Sequence, residues 1–196
     1  MEIKTIYLFR HGQTDWNKEG RVQGATNIPL NETGIEQAKN IAKILKNEGL
    51  EHIYSSPLDR AYVTGKIVAD ESNIGIEIEE DLKEISFGDY FGRLKTEVNK
   101  EFSEDFYRGY FHEKSYGDFS FPNGEKKIDA INRFTNCVNK IVENTKYNKI
   151  GIAAHGFVIV MFLLYQNFIV DKKINNCTVI KCIYENSKIK EIEFIN

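Results

Sequence analysis

Apolar and polar positions along this chain follow two different periods, which together predict strands alternating with helices. Residues 3–9 (IKTIYLF) and 149–154 (KIGIAA) are short, mostly apolar runs of the kind that form buried strands. Residues 31–49 and 128–142 instead carry apolar side chains three or four positions apart, which is the spacing of an amphipathic helix. These segments predict two buried strands and two helices that pack through one face.

Capping residues indicate where two of the helices begin and end. Thr33 and Glu36 have the spacing of a capping box at the start of the first long helix, and Gly49 is typical of a helix C-terminus. Ser56 as N-cap, followed by Pro57, predicts that a second helix begins directly after a short strand.

Three further segments complete the predicted fold. Residues 74–80 alternate like a strand, residues 157–165 have the composition of a buried helix, and residues 177–195 are typical of a hairpin turning at residues 185–188. Strands alternating with helices imply an α/β protein, which we predict to be a three-layer α/β/α sandwich. We expect a mostly parallel, mixed sheet with helices on both faces and a small helical cap insertion.

Composition and charge narrow the class of protein. With 196 residues, 41% of them hydrophobic, a single domain over residues 1–196 is expected. A formal net charge of -3 gives no support for a nucleic-acid-binding protein. The longest apolar run, residues 157–170, is too short for a helix that spans a bilayer. The three cysteines form no C-x-x-C pair, so we expect reduced thiols. Residues 1–9 also lack the features of a signal peptide, and together these observations predict a cytoplasmic location.

Two histidines directly follow predicted strands, and both precede glycine. His11 follows Arg10 at the end of the first strand, and His155 follows the strand at 149–154. Because ligands of open α/β sheets bind beyond the carboxyl ends of the strands, we expect these histidines to meet at one edge of the sheet. Arg10 and Arg60 offer planar donors suited to phosphate, although each position is also common for a surface arginine.

Five blocks of sequence carry a resemblance to a known family. They are LFRHGQTDWN (residues 8–17), RVQGATNIPLNETGIEQA (21–38), YSSPLDRAYVT (54–64), DLKEISFGDYFG (81–92) and AAHGFVI (153–159). In this order they resemble the histidine phosphatase superfamily, whose members include cofactor-dependent phosphoglycerate mutases, fructose-2,6-bisphosphatases and α-ribazole phosphatases. The resemblance covers nearly the whole chain and is weakest at about residues 95–145.

The resemblance implies a two-step phosphoryl transfer on a small phosphomonoester, with no metal or cofactor. A ring nitrogen of His11 attacks phosphorus, and Glu84 protonates the leaving oxygen and then activates the water that hydrolyses the phosphohistidine. Arg10, Arg60 and His155 would hold the phosphate, together with free N–H groups at the start of the helix that follows His155. The clustered cations are expected to keep His11 neutral and therefore nucleophilic.

A second set of residues is implied to contact the phosphate or the leaving group. These candidate substrate-binding residues are Asn17, Gln23, Gly24, Gly156 and Phe157. Phe157 stands where the family commonly has a small residue, so its ring is expected to narrow the phosphate pocket or to stack on the leaving group.

Residues 86–127 are a candidate substrate-facing cap, rich in aromatic residues. Phe102, Phe106 and Tyr110 are four positions apart, as in one stripe of a helix packed on the body. The sequence leaves open whether the eleven aromatic residues from Phe87 to Phe121 only pack or whether some of them also line an apolar pocket. Residues 93–127 contain as many acidic as basic side chains, seven of each.

That balance favours a phosphatase, because a mutase must hold a doubly phosphorylated intermediate and would need an excess of positive charge. The phosphatase branch is therefore the leading interpretation, with a phosphoglycerate mutase-type phosphomutase as the alternative. A non-catalytic module that binds a phosphorylated ligand is a third hypothesis. The sequence leaves the leaving group and the oligomeric state open.

Overall fold

A computed structural model describes residues 3–170, 172–186 and 188–196, and these residues form one six-stranded sheet in the order β3-β2-β4-β1-β5-β6. The strands are Lys4–Arg10 (β1), His52–Ser55 (β2), Gly75–Ile78 (β3), Lys149–Ala154 (β4), Val179–Glu185 (β5) and Lys188–Phe194 (β6). The first four are parallel, whereas β5 pairs antiparallel with β1 and β6 pairs antiparallel with β5. The predicted mixed, mostly parallel sheet is confirmed.

Helices cover both faces of the sheet. They are Asp15–Lys18 (α1), Glu32–Glu48 (α2), Asp59–Ser72 (α3), Lys95–Glu101 (α4), Glu104–His112 (α5), Lys127–Asn144 (α6) and Gly156–Tyr165 (α7). Alternate side chains of β1 enter different cores: Tyr7 and Phe9 are buried with α2 and α3, whereas Ile6 and Leu8 are buried with α6 and α7. Each apolar side chain contributes roughly 1.5–3 kcal/mol by leaving water. The predicted three-layer architecture is confirmed.

The capping box predicted for α2 is wrong by two positions. Asn31, rather than Thr33, is the N-cap, because it has the extended backbone of that position and its side-chain oxygen accepts a hydrogen bond from Gly34 N at 2.9 Å. Thr33 therefore lies in the first turn. Gly49 ends the helix as predicted, with a left-handed φ of 74°.

The helix predicted to begin at Ser56 begins later. α3 starts at Asp59, with Leu58 as N-cap and no side-chain capping bond. The Ser56 hydroxyl is used elsewhere: it lies 2.8 Å from His155 Nε2 and accepts a hydrogen bond from Leu58 N at 3.3 Å. The serine thus orders the turn and contacts a candidate site residue instead of capping the helix.

The aromatic segment between β3 and α6 packs on the body around α4 and α5. Phe102 precedes Ser103, the N-cap of α5, so the stripe predicted for one helix is interrupted. Phe102 nevertheless stacks on Phe106 (ring centroids 4.6 Å apart), and Phe106 stacks on Tyr110 (5.6 Å). Packing on the body is therefore confirmed for these rings.

Two further observations concern the described residues only. None of their helices combines the length and the apolarity needed to cross a membrane. All three cysteines, Cys137, Cys177 and Cys182, are buried and unpaired, which agrees with the expectation of reduced thiols.

Candidate active site

The two strand-end histidines meet at the carboxyl edge of the sheet, as expected. β1 and β4 are parallel neighbours with Arg10 opposite Ala154, so the residues that follow, His11 and His155, emerge side by side. Their ring centroids are 5.3 Å apart, and both side chains are buried. Parallel pairing of two strands distant in sequence thus brings the two histidines together.

His11 presents one defined nitrogen for chemistry. Its Nδ1 lies 2.7 Å from the carbonyl oxygen of Gly12, and because a carbonyl only accepts, Nδ1 carries the proton. Nε2 is then the unprotonated nitrogen, and its lone pair accepts a hydrogen bond from Arg60 Nε at 3.2 Å. Burial first, and then the charges of Arg10 and Arg60, hold the pKa of His11 well below its ordinary value. A neutral, nucleophilic imidazole is therefore the stable form at neutral pH.

Arg60 is fixed from behind by backbone carbonyls. Its two terminal nitrogens donate to Thr26 O and Gly24 O, both at 2.6 Å, while Nε faces His11. Burial lowers the pKa of Arg60 to about 10, so the guanidinium remains charged at neutral pH. Its position is set by the loop that also contains Gln23 and Gly24, two of the predicted substrate-binding residues.

Arg10 is held more loosely. Its Nη1 donates to Ile174 O at 2.8 Å, whereas its buried Nε has no protein partner among the described residues. The guanidinium lies beside the start of α7, where a Cβ added to Gly156 would be 3.4 Å from Arg10 Nε, an ordinary contact distance. Arg10 therefore retains N–H groups that can donate hydrogen bonds to an anion in the site.

Glu84 is buried at the N-terminus of α7. Its Oε2 accepts a hydrogen bond from Phe157 N (3.0 Å), and its Oε1 accepts from Val158 N (3.2 Å) and Ile85 N (3.1 Å). Burial raises the pKa of Glu84, although these N–H groups and Arg60 partly oppose the shift. The prediction that the first N–H groups of α7 face the phosphate is wrong for Phe157 and Val158, because the carboxylate already occupies them.

These side chains line a cavity of about 540 Å³. Its wall includes four of the five predicted catalytic residues and all of the predicted substrate-binding residues: Arg10, His11, Arg60, Glu84, Asn17, Gln23, Gly24, Gly156 and Phe157. His155 lies outside the wall, behind His11, with its Nδ1 lacking a partner among the described residues. Burial lowers its pKa well below the ordinary value, so His155 is also neutral.

Six aromatic rings also line the cavity. They are Phe87, Tyr90, Tyr107, Phe111, Phe121 and Phe157. Phe157 lies against Tyr110 with ring centroids 5.5 Å apart and against Phe111 at 5.8 Å, so it joins the body to the aromatic segment. The rings of this segment therefore both pack and line the cavity, which answers the question that the sequence left open.

Sequence reasoning missed four cations in the cavity wall: Arg21, Lys95, Lys172 and Lys173. Burial, Arg10 and Lys173 together lower the pKa of Lys95, which indicates how closely these charges converge. The segment from 93 to 127 is neutral as a whole, but its Lys95 lies in the cavity wall, whereas acidic side chains such as Glu101 pair at the surface. Net charge along the sequence therefore concealed a positive cavity.

Asn176 is a further residue that sequence reasoning missed, and it holds the loop after β1. Its Nδ2 lies 3.1 Å from both His11 O and Gly12 O, and 3.0 Å from Asn17 Oδ1. Gly12 O is the same oxygen that accepts the Nδ1 proton of His11. Asn176 thus supports the orientation of the imidazole and of the Asn17 amide, and no local sequence pattern signals this role.

Among the described residues, no group of three or more His, Cys, Asp or Glu side chains is arranged to hold a metal ion. The cavity instead concentrates guanidinium groups around a neutral imidazole, with one buried carboxyl group beside them. An α/β sheet with this arrangement at its carboxyl edge is typical of a phosphoryl-transfer protein.

The chain belongs to the histidine phosphatase superfamily (branch 1), whose family model matches residues 6–195. It is 33% identical over 150 residues to Phosphoserine phosphatase 1 of Hydrogenobacter thermophilus, covering 76% of this chain and 70% of that protein. It is 32% identical over 162 residues to Phosphoglycerate mutase-like protein 4 of Arabidopsis thaliana, covering 81% and 69%. The structure of Bacillus stearothermophilus YhfR superposes with a TM-score of 0.83 at 27% identity, covering 98% and 96%. The family resemblance of the five blocks is confirmed.

Proposed function

We propose that this protein is a metal-independent, cytoplasmic phosphatase that hydrolyses a small phosphorylated metabolite through a phosphohistidine. The observation that carries the proposal is the His11 imidazole, whose Nδ1 proton is held by Gly12 O and whose Nε2 lone pair lies beside Arg60. A nucleophile, cations for the phosphate and a buried carboxyl group share one cavity. Phosphatase-named relatives support the same activity.

In the first step, His11 Nε2 attacks phosphorus in line with the ester bond. The N–P bond forms as the P–O bond to the leaving group breaks, and the electron pair of that bond passes to the leaving oxygen. Glu84 supplies a proton to this oxygen, and its raised pKa favours the protonated form that the step needs. Arg10 and Arg60 neutralise the non-bridging oxygens, which is the main requirement of phosphoryl transfer.

In the second step, water attacks the phosphohistidine and Glu84, now a carboxylate, accepts a proton from that water. The N–P bond breaks, its electron pair returns to Nε2, and inorganic phosphate leaves. His11 is again neutral and Glu84 is again protonated, so the cycle closes without a redox or metal partner.

Residues 86–127 act as a substrate-facing cap in this proposal. Rings of this segment and Phe157 line the same cavity as Arg10 and Arg60, so the leaving group contacts aromatic side chains while the phosphate lies on His11. Asn17, Gln23 and Gly24 surround the phosphate end. A cavity of about 540 Å³ suits a metabolite-sized phosphomonoester.

The phosphomutase remains a second candidate, because one observation favours it. Arg21, Lys95, Lys172 and Lys173 add positive charge to the cavity beyond the arginines that hold one phosphate. Such a cavity accommodates a substrate with a second anionic group. The non-catalytic hypothesis has no comparable support, because the nucleophile, the acid and the phosphate-binding arginines are all present.

Release of phosphate from p-nitrophenyl phosphate in the presence of a chelator tests the proposal. The native chain is expected to turn over and to carry acid-labile phosphate when quenched during turnover, whereas His11→Ala should do neither at equal folded concentration. Exchange of phosphate between positions of a sugar acid, dependent on a bisphosphate primer and without net release, would instead establish the mutase. Binding of vanadate without either activity would establish the non-catalytic module.

A further inference from the structure

An arginine on α6 is bonded to the segment that carries Glu84. Arg133 forms a two-pronged ion pair with Glu125, with Nε to Oε1 and Nη2 to Oε2 both at 2.9 Å. Its remaining terminal nitrogen, Nη1, donates to Asp81 O at 2.7 Å and to Lys83 O at 3.0 Å. Four of the five N–H donors of this guanidinium are thus bonded to one carboxylate and two backbone carbonyls.

The backbone of Glu125, the residue paired with Arg133, is bonded on the other side of Glu84. Lys83 O belongs to the peptide bond immediately before Glu84, and Glu125 N donates to Ser86 O, two residues after it, at 2.9 Å. Arg133 and Glu125 therefore hold the backbone on both sides of the proposed acid. Their side chains are only 18% and 24% exposed, so the pairing is sheltered from solvent.

This support matters because residues 83–86 belong to neither a helix nor a strand. They follow a 3-10 turn at Glu80–Leu82, and no ladder of hydrogen bonds fixes them. Meanwhile the Glu84 carboxyl must reach Phe157 N and Val158 N and still face the cavity. A functional side chain on irregular backbone needs neighbouring contacts to hold it within a fraction of an ångström.

We infer that Arg133, paired with Glu125, is a positioning residue for Glu84 and so controls proton transfer to the leaving group. This inference rests on the proposed function. Neither Arg133 nor Glu125 lines the cavity, so neither contacts the phosphate or His11. Loss of Arg133 should therefore impair the step that needs a proton and spare phosphate binding and nucleophilic attack.

Two substrates whose leaving groups differ in basicity distinguish an effect on proton transfer from an effect on phosphate binding or nucleophilic attack. p-Nitrophenolate departs without a proton, whereas the alkoxide of glycerol 2-phosphate requires one. kcat/KM reports the steps through phosphorylation of His11, so hydrolysis of the intermediate does not enter the comparison. We expect Arg133→Gln to lower kcat/KM for glycerol 2-phosphate at least tenfold, with less than a threefold change for p-nitrophenyl phosphate.

Three further variants make the comparison specific. Arg133→Lys keeps the positive charge but lacks the planar guanidinium that makes two parallel hydrogen bonds, and Glu125→Gln weakens the ion pair. Both variants should therefore show a smaller selective loss of kcat/KM for glycerol 2-phosphate. Arg108→Gln makes the same chemical change in an exposed ion pair with Asp105 and Glu113 and should leave both substrates unaffected. Vanadate affinity should be equal in all variants, which checks that the phosphate pocket remains folded.

Equal losses on both substrates, or no loss on either, would overturn the inference. Glu84→Gln provides the reference: it should show the same leaving-group selectivity, on the order of a hundredfold. If Glu84→Gln shows no selectivity, the acid role of Glu84 fails and the positioning role fails with it. If Glu84→Gln is selective and Arg133→Gln is not, only the inference about Arg133 is overturned.

Discussion

Lys127→Met should loosen the aromatic segment while leaving the sheet intact. The Lys127 side chain is fully buried at the start of α6, and its ammonium donates to three backbone carbonyls at the end of α5. The acceptors are Gly109 O at 3.0 Å, Glu113 O at 2.6 Å and Ser115 O at 2.8 Å. Carbonyls at a helix C-terminus have no partner within the helix, so this one lysine satisfies groups that would otherwise remain unpaired.

The expected loss of stability is the difference between the interactions of the ammonium that are lost and the free energy that methionine recovers. Hydrogen bonds to a charged group contribute roughly 1.5–3 kcal/mol each, and the ammonium also lies 5.4 Å above the Tyr110 ring. Methionine removes the cost of burying a charge, and water can reach the carbonyls of Glu113 and Ser115, which are exposed residues. We therefore expect a net loss of about 3 kcal/mol, near the lower end for breaking a buried charged network. For a chain of this length the melting temperature should fall by roughly 6–12 °C.

Denaturant titration with hydrogen exchange measured by mass spectrometry tests this expectation. Protection should fall first in residues 104–116, and KM should rise because Tyr107 and Phe111 of α5 line the cavity. Lys126→Met is the matched control, since Lys126 is exposed and its Nζ lies 3.9 Å from Asp118. If Lys127→Met were as stable as Lys126→Met, or if protection fell evenly across the sheet, the reasoning about this lysine would be refuted.

Three other substitutions probe the loops around His11. Asn176→Ala should lower kcat/KM about tenfold through loss of imidazole orientation while Asn175→Ala does not, and equal activities would contradict the role assigned to Asn176. The folded pKa of His155 lies well below its unfolded value near 6.5, so unfolding takes up a proton as the pH falls. Between pH 7 and 5.5, urea titrations should therefore show that His155→Gln loses roughly 1 kcal/mol less stability than the native chain, and an equal loss would contradict the lowered pKa. Gly12→Ala should cost about 3 kcal/mol or prevent folding, because the added Cβ would lie 2.3 Å from Gly34 O; an unchanged urea midpoint would disprove that close approach.

The elements that sequence reasoning located well are those whose signals are local. β1 and β4 are apolar runs that end at a histidine, and parallel pairing requires residues after such strands to gather at one edge. The positions of His11 and His155 therefore followed from the pattern of the chain. Glu84 had no such pattern, and only the resemblance of its block to a family indicated its role.

The features that the sequence did not predict depend on which of several residues occupies a given position in the folded chain. Asn31 and Thr33 are both capable N-caps, and the backbone of the preceding loop decides between them. The first N–H groups of α7 suit any anion, and the carboxylate of Glu84, from a segment distant in sequence, occupies two of them. The cations of the cavity come from different elements, so no charge count along the chain could reveal them.

The location of Glu84 also links ligand binding to hydrogen-ion concentration. The buried carboxyl group lines the cavity in which, under the proposed function, a phosphate dianion binds, so each negative charge disfavours the other. Occupancy by phosphate therefore increases the proton affinity of Glu84, and association draws a proton from the buffer. By thermodynamic linkage, the affinity for phosphate rises as the pH falls and decreases as the pH rises. Substrate binding therefore favours protonation of Glu84, the group proposed to donate a proton when that substrate is cleaved.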